Sequence, residues 1–269
     1  MKENTILLET CTKTITELPT NCIDLVVTSP PYFGCRVYGD ESLGREEHPA
    51  DYIKNLVETL NPLKRVLKET GSFYLNIGDV YFGSKGFSRN KGKFKRKTDQ
   101  HYASHKIAKQ DGKWLQYKQL LMLPQRVAIL LQEDGWILRN DIIWEKANPL
   151  PAYSKDRRLP CHEHIFHFVK SKRYYFDYPL AKKRGHHRDV VKTSVEPFGA
   201  HPASFSEALI SPLIETTCPQ GGLVYDPFSG SGTTAVVSKK LGRRYLGSEI
   251  EESFWKLSME HLRTGVFSS

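Results

Sequence analysis

A rigid corner that carries a hydroxyl and an aromatic ring follows a buried strand near the start of the chain. Residues 24–34 read DLVVTSPPYFG, and residues 25–28 are apolar or β-branched, as in a buried strand. Pro30 and Pro31 end that strand, because proline has no N–H group and fixes φ. Ser29 and Tyr32 flank the two prolines. The corner is typical either of a tight turn after a core strand or of a site that holds hydrogen-bond acceptors and a ring in fixed positions.

A glycine-rich turn lies near the other end of the chain. An apolar strand runs into Asp226 and is followed by the sequence DPFSGSGTTA, in which Gly230, Gly232 and Ala235 have the spacing of a nucleotide-binding turn. Glycines let the chain turn tightly and let a ligand approach the backbone. Glu249 stands 19 residues after Gly230, where an acidic residue can bind ribose hydroxyls. Nicotinamide dinucleotides, flavins and S-adenosylmethionine all use this geometry.

Strands that alternate with helices must position these two motifs. Apolar runs predict strands at residues 5–8, 23–28, 72–77, 136–144, 164–169, 223–225 and 244–248. Helical spacing predicts helices at 120–131, 233–241 and 254–262, and one more with a face formed by Tyr52, Leu56, Leu60, Leu63 and Leu67. The alternation favours an α/β fold: a Rossmann-like, mostly parallel sheet with helices on both faces. Because only 37 residues follow Gly232, we expect seven strands in a circularly permuted order.

Basic residues are concentrated in one segment of this 269-residue chain, which we predict to form a single domain over residues 1–269. Residues 84–118 contain eleven Lys or Arg and two Asp, so this segment carries a charge equal to the +9 of the whole chain. Five aromatic residues are interleaved with the charges. The segment is either a solvated loop or an insert that binds a polyanion, because clustered cations neutralise phosphates and aromatic rings stack on bases.

A second basic stretch, residues 178–199, shows no clear periodicity and is predicted to be a surface loop. The candidate nucleic-acid contacts in the two basic stretches are Lys91, Lys93, Lys95, Arg96, Lys97, Lys182, Lys183 and Arg184.

The remaining composition predicts a cytoplasmic protein. Five cysteines without CxxC spacing favour reduced thiols over a disulfide framework. We expect no membrane anchor, because the chain has no apolar run of 18 residues and no secretory leader.

The motifs, taken together and in this order, resemble the DNA amino-methyltransferases of the permuted β group. Thr28 to Tyr32 match the [DNS]-P-P-[YF] catalytic motif, and the sequence DPFSGSGTT matches the cofactor loop. HPASFS, residues 201–206, matches the segment ahead of that loop, and residues 135–151 and 157–176 match later blocks. One departure is near the start, where Glu9-Thr10 stand in place of the usual Gly-Asp that holds adenine. The resemblance is strongest to the members specific for cytosine N4, because these mostly have Ser at the first motif position.

The resemblance implies a site-specific enzyme that transfers a methyl group from S-adenosylmethionine to the exocyclic amino group of a base flipped out of double-stranded DNA. Ser29, Pro30, Pro31 and Tyr32 are the implied catalytic residues. The implied cofactor-binding residues are Thr10, His201, Pro202, Ser204, Phe205, Asp226, Pro227, Phe228, Gly230, Gly232, Thr233, Thr234 and Glu249. No metal is implied. A cognate restriction endonuclease and a homodimeric assembly are open partners.

Several alternatives remain at this point. Adenine N6, an RNA base or a protein amide presents the same chemical problem as cytosine N4, and a non-catalytic cofactor-binding DNA module would share the motifs. Pro160-Cys161 resembles the nucleophile of cytosine-C5 methyltransferases, although it leads into a strand away from the catalytic motif. The sequence CHEH at 161–164 contains metal-ligand residue types, but at adjacent positions rather than at the usual ligand spacing.

Overall fold

Eight strands form one sheet in the part of the chain that the computed structural model describes, residues 2–34, 43–83, 108–149, 154–194 and 206–265. The strands are β1 (Thr5–Leu8), β2 (Ile23–Thr28), β3 (Leu67–Ile77), β4 (Ile137–Lys146), β5 (His162–Val169), β6 (Val190–Thr193), β7 (Leu223–Asp226) and β8 (Arg244–Glu249). Their order across the sheet is β1-β8-β7-β2-β3-β5-β4-β6. Neighbouring strands are parallel, except that β5 runs antiparallel to both β3 and β4. The predicted mostly parallel α/β sheet is confirmed.

Helices cover both faces of the sheet. They are α1 (Cys11–Glu17), α2 (Pro49–Leu60), α3 (Leu63–Val66), α4 (Leu123–Glu133), α5 (Tyr178–Arg184), α6 (Glu207–Thr217), α7 (Thr233–Lys240) and α8 (Glu252–Thr264). Successive side chains of β2 point to opposite faces, so Val26 packs with residues of α1, α2 and α4, whereas Leu25 and Val27 pack with residues of α6 and α7. A smaller cluster joins α7 and α8 to β1 and β8. Among the described helices, none has the length and hydropathy needed to cross a bilayer.

The strand that carries the glycine turn is late in the sequence but lies at the centre of the sheet. β7 pairs with β2 on one side and with β8 on the other. The chain leaves β7 through α7 towards β8, and it leaves β2 through α2 and α3 in the opposite direction towards β3. In open α/β sheets, ligands bind outside the carboxyl ends of strands at such a switch point. The topology therefore places both sequence motifs at this position.

The sequence prediction was wrong about the number of strands. The stretch 178–199, predicted to be a loop, contains α5 and one strand more than the seven predicted. This additional strand, β6, is parallel to β4 at the edge of the sheet. β6 has only four residues and is exposed or half-buried along its length, so it gives little hydrophobic signal. α5 begins after the capping residue Asp177 and ends at Gly185 with φ 77°, and these cap residues were the available sequence signal.

The single helix predicted through Tyr52 and Leu67 was also wrong. α2 ends at Leu60, the short helix α3 follows Pro62, and Leu67 already belongs to β3. Proline cannot donate the N–H bond that a continuous helix needs. The apolar spacing continues through the break because both helices pack on the same face of the sheet. It therefore could not reveal where the helix ends.

Candidate active site

A direct hydrogen bond joins the strand end before the Ser29 corner to the strand end before the glycine turn. Thr28, the last residue of β2, donates from Oγ1 to Oδ1 of Asp226, the last residue of β7, at 2.6 Å. Both side chains are fully buried. Because β2 and β7 are parallel neighbours, Ser29 and the turn after Asp226 leave the sheet side by side at the same edge. The structure therefore brings together two motifs that are about 200 residues apart in the sequence.

Asp226 also fixes the shape of the turn that follows it. Its carboxylate accepts from the Phe228 N–H at 3.0 Å and from Thr234 Oγ1 at 2.6 Å. The first residue before α7 is Gly232, with φ 82°, so Asp226 supports the turn rather than capping the helix directly. Burial raises the pKa of Asp226 to about 6, and the three hydrogen-bond donors oppose that rise. The carboxyl group is therefore mostly ionised at neutral pH and acts as an acceptor.

The raised pKa of Asp226 predicts a pH-dependent contribution to stability. The folded protein binds a proton on the Asp226 carboxyl group more tightly than the unfolded chain does, because the pKa of this group is near 3.8 when the chain is unfolded. The contribution is therefore fully present below pH 3.8 and is lost as the pH rises through 6. We expect the difference in unfolding free energy between the wild type and Asp226→Asn to fall by about 2 kcal/mol from pH 4.5 to pH 7. Urea denaturation of both proteins at the two pH values measures it, and a constant or rising difference contradicts the assignment.

Glu249 closes the glycine turn from the neighbouring strand. Its carboxylate accepts from the Gly230 N–H at 2.7 Å and from the Glu251 N–H at 2.8 Å. The side chain is 7% exposed, and burial raises its pKa against these two backbone donors. Gly230 has φ 52°, a conformation that favours glycine. The turn and the carboxylate are thus held in one arrangement at the carboxyl ends of β7 and β8.

A cleft of about 210 Å³ opens beside this carboxylate. Its lining combines small polar groups, apolar side chains and one acid: Thr10, Cys11, Thr12, Leu43, Thr59, Pro227, Phe228, Ser248, Glu249 and Ile250. Apolar walls with a few placed polar groups are typical of a small-molecule site. Four of the predicted cofactor residues, Thr10, Pro227, Phe228 and Glu249, line this one cleft. Thr10 is also the N-cap of α1, where its Oγ1 accepts from the Lys13 N–H at 3.3 Å.

The corner itself is held from several sides. Tyr52 in α2 donates from its hydroxyl to the Pro31 carbonyl at 2.9 Å. Ser29 Oγ lies 3.2 Å from the Tyr32 hydroxyl oxygen, and Ser29 and Tyr32 are both half-buried. A Cβ atom at Gly78 would lie 2.9 Å from Cε2 of Tyr32, so glycine is required for this approach to the ring. These contacts fix the hydroxyl and the ring relative to the end of β2.

Two polar residues that the sequence did not assign to this site, Asn76 and Glu163, contact the Tyr32 hydroxyl, and Lys146 in turn contacts Glu163. Glu163 Oε2 accepts from this hydroxyl at 2.7 Å and from Asn76 Nδ2 at 3.1 Å, and Glu163 Oε1 accepts from Lys146. Asn76 is in β3, Lys146 ends β4 and Glu163 is the second residue of β5. The antiparallel position of β5 puts its start at the same edge as the end of β3. An acidic residue immediately ahead of the predicted strand 164–169 was the available signal.

Not all of the predicted site residues come together at the carboxyl ends of β2 and β7. Thr233 and Thr234 are buried at the start of α7 beside the glycine turn. Lys182, Lys183 and Arg184 are exposed in α5, and Arg184 pairs with Glu215 near the end of α6, at 3.3 Å. α6 leads into the start of β7, so this basic group lies towards the amino end of β7, away from the carboxyl ends that carry the corner and the glycine turn. The other predicted DNA contacts, Lys91 to Lys97, and the cofactor candidates His201 to Phe205 lie outside the described residues.

The CHEH sequence lies at the start of β5, next to the corner. The Cys161 carbonyl accepts from the Lys146 N–H at 2.7 Å. Glu163 contacts Tyr32, whereas His164 contacts Gln125 and Asp141 through its two ring nitrogens. Two of these side chains therefore have hydrogen-bonding partners within the fold and point to different neighbours.

Comparison with known proteins gives consistent matches along nearly the whole chain. The family model described as DNA methylase matches residues 23–260. The type II methyltransferase M.SmaI of Serratia marcescens is 38% identical over 255 residues, which cover 91% of this chain and 86% of the relative. The type II methyltransferase M.Cfr9I of Citrobacter freundii is 36% identical over 257 residues, covering 91% and 83%.

Solved structures share the fold at lower sequence identity. The PvuII DNA methyltransferase, described as cytosine-N4-specific, matches with a TM-score of 0.74 at 19% identity and covers 96% of this chain and 86% of its own. TTHA0409 of Thermus thermophilus, solved in complex with S-adenosylmethionine, matches with a TM-score of 0.67 at 21% identity and covers 96% and 94%.

Proposed function

Because this chain belongs to the DNA methylase family and is a DNA methyltransferase that uses S-adenosylmethionine, we propose that it methylates cytosine at N4 after the base has been flipped out of duplex DNA. The observation that carries the proposal is the bond between Thr28 and Asp226. It fixes the Ser29 corner beside the turn that borders the cleft. A bound methyl donor and an amino group held at the corner would then be neighbours.

The cleft suits the cofactor in its chemistry. S-adenosylmethionine supplies a methyl group bonded to a positively charged sulfur, which is the electrophile. The Glu249 carboxylate would accept hydrogen bonds from the ribose hydroxyls, and Phe228, Leu43 and Ile250 would offer apolar contact to the adenine. Gly230 allows close approach to the backbone. The acidic lining of the cleft also suits a cationic ligand.

Hydrogen-bond acceptors at the corner solve the chemical problem of the substrate. An exocyclic amino nitrogen is a poor nucleophile because its lone pair is delocalised into the base. Ser29 Oγ and the Pro30 carbonyl accept the amino hydrogens and thereby localise the lone pair on nitrogen. The two prolines and the bond from Tyr52 to the Pro31 carbonyl keep the acceptors preorganised. The Tyr32 ring stacks on the flipped base.

The choice of cytosine rests on two independent supports. The PvuII enzyme, which has the same fold, is described as cytosine-N4-specific. In addition, Ser29 occupies the first position of the motif, where Ser mostly accompanies cytosine and Asp or Asn mostly accompanies adenine. Ser29 offers a neutral acceptor without the charge of Asp.

A labelled methyl donor tests the activity. The protein is incubated with S-adenosylmethionine labelled in its methyl group and, in parallel, with duplex DNA, RNA or a protein mixture. We expect label in duplex DNA alone. Incorporation into RNA or protein at an equal rate contradicts DNA as the target, and cofactor binding without any transfer supports a non-catalytic module.

The basic segment 84–118 is proposed as the main DNA-contacting element of the single domain. We expect the combined change of Lys93, Lys95, Arg96 and Lys97 to Gln to weaken DNA binding and to reduce its salt dependence by about one unit of log–log slope for each lost phosphate contact. Cofactor affinity should stay unchanged. Fluorescence anisotropy of labelled duplex across a salt series measures both effects.

A variant with Lys182, Lys183 and Arg184 changed to Gln is measured in the same way for comparison. These three residues lie towards the amino end of β7, away from the corner. A normal affinity and slope in the first variant would show that the segment 84–118 is a solvated loop.

We propose further that a restriction endonuclease with the same target sequence accompanies this protein, since its relatives are type II methyltransferases. A homodimeric assembly and a cytoplasmic location remain predictions.

A further inference from the structure

The serine hydroxyl of the catalytic corner is ambiguous as a hydrogen-bonding group. It has one hydrogen to donate and two lone pairs that accept. The proposed function requires Ser29 to accept from the target amino group, and a hydroxyl that is free to rotate would also present its hydrogen to the substrate. Something in the fold must therefore direct the Ser29 hydrogen elsewhere.

The surroundings of the Tyr32 hydroxyl determine where each hydrogen goes. Its oxygen lies 2.7 Å from Glu163 Oε2, 3.2 Å from Ser29 Oγ and 3.4 Å from Asn76 Oδ1. The Asn76 Nδ2 group donates to Glu163 Oε2 and also to the His164 carbonyl, at 3.1 Å and 3.2 Å. Lys146 donates to the other oxygen of Glu163.

The direction of these hydrogen bonds follows from the groups involved. An ammonium and an amide NH₂ only donate, so Glu163 receives hydrogens from Lys146 and Asn76 and acts as a carboxylate acceptor. The short contact with Tyr32 therefore uses the hydrogen of the phenol. Burial and the nearby Glu163 charge raise the pKa of Tyr32 well above its ordinary value, so the phenol keeps this hydrogen. The Tyr32 oxygen can then only accept from Ser29.

We propose that Glu163 is a positioning residue that commits the Ser29 hydrogen to Tyr32 and leaves the Ser29 lone pairs for the target amino group. This inference rests on the proposed function, because it assigns a cause to the acceptor role of Ser29. The Tyr32 ring and the Glu163 carboxyl group also pack against the same glycine, Gly78. A Cβ atom at Gly78 would lie 2.9 Å from the ring and 3.4 Å from the Glu163 carboxyl carbon. One carboxylate thus orients both parts of the corner.

A double-mutant cycle tests the inference. Glu163→Gln keeps the size of the side chain but brings an NH₂ group that can donate to the Tyr32 oxygen. Tyr32→Phe keeps the stacking ring and removes the hydroxyl. Single-turnover methyl transfer is measured at saturating duplex DNA and cofactor for the wild type, both variants and the double variant. Affinities for DNA and for the cofactor are measured separately.

We expect each single change to slow transfer by about tenfold to a hundredfold while both affinities stay near those of the wild type. The double variant should be no slower than the slower single variant, because both changes break the same chain of hydrogen bonds. Glu145→Gln is the matched control, since Glu145 is a half-buried carboxylate in β4 that pairs with Lys192 and not with Tyr32 or Glu163. This control should transfer at the wild-type rate.

Wild-type transfer by Glu163→Gln, or independent multiplication of the two effects, overturns the inference and leaves the proposed function standing. If Glu163→Gln does not fold, Tyr32→Phe decides alone, because a wild-type rate in that variant shows that the hydroxyl does not orient Ser29. Absence of transfer by the unaltered protein overturns the proposed function and this inference together.

Discussion

Replacing Ser29 with Ala is expected to slow methyl transfer by about 10² to 10³ while cofactor binding is retained. The change removes one of the two acceptors proposed to localise the lone pair of the target amino group, and removal of one preorganised hydrogen-bonding group in a reaction site typically costs this much. Ser29 is half-buried and contacts Tyr32 through its hydroxyl. Its loss should therefore lower the unfolding free energy by less than about 1 kcal/mol.

Single-turnover transfer to duplex DNA, together with calorimetric titration of the cofactor and a thermal melt, separates these effects. Ser253→Ala is the matched control, because Ser253 is an exposed serine on α8, away from the corner. A Ser29→Ala variant that transfers at the control rate moves the reaction site elsewhere. A variant that loses cofactor binding or melts early shows a structural role instead.

Replacing Glu249 with Ala is expected to weaken S-adenosylmethionine binding by about tenfold to a hundredfold. The carboxylate is the acid in the lining of the cleft, and charge-assisted hydrogen bonds to it are worth about 1.5–3 kcal/mol. The Gly230 and Glu251 N–H groups also lose their acceptor in this variant. Loss of these two hydrogen bonds should also loosen the turn that is proposed to contact the cofactor. Calorimetric titration measures the affinity directly.

Glu252→Gln provides the control, because Glu252 is close in sequence but exposed, and it pairs with Lys256 on the surface of α8. Its affinity should equal that of the wild type. If Glu249→Ala also binds S-adenosylmethionine with wild-type affinity, the cofactor does not bind in this cleft. Tighter binding of a nicotinamide dinucleotide than of S-adenosylmethionine would change the identity of the ligand.

The features that sequence reasoning predicted are those encoded by short continuous stretches. The strands β1 and β2 have the predicted bounds, because each is a compact run of mostly apolar residues. The corner at Ser29 and the turn around Gly230 depend on prolines and glycines, whose effects on the backbone are local. The pairing of β2 with β7, which brings the two motifs together at the carboxyl ends of these strands, was seen only in the structure.

The features that the sequence did not reveal depend on distant pairing. Tyr32 and Glu163 are 131 residues apart, and they meet only because β5 runs antiparallel to β3 with Ile77 opposite His164. Neither the direction nor the register of β5 can be read from its apolar pattern. β6 was missed for another reason, since a four-residue edge strand with exposed side chains has hardly any hydrophobic pattern.

The identity of the methylated nucleoside distinguishes the proposed transfer to the exocyclic amino group of cytosine N4, which needs no covalent enzyme intermediate, from its alternatives. Duplex DNA modified by the purified protein is digested to nucleosides, and the methylated nucleoside is identified by chromatography and mass spectrometry against standards. We expect N4-methylcytosine. N6-methyladenine alone would contradict the choice of base and leave the amino-group mechanism intact, whereas 5-methylcytosine would contradict the mechanism itself and make Cys161 the candidate nucleophile.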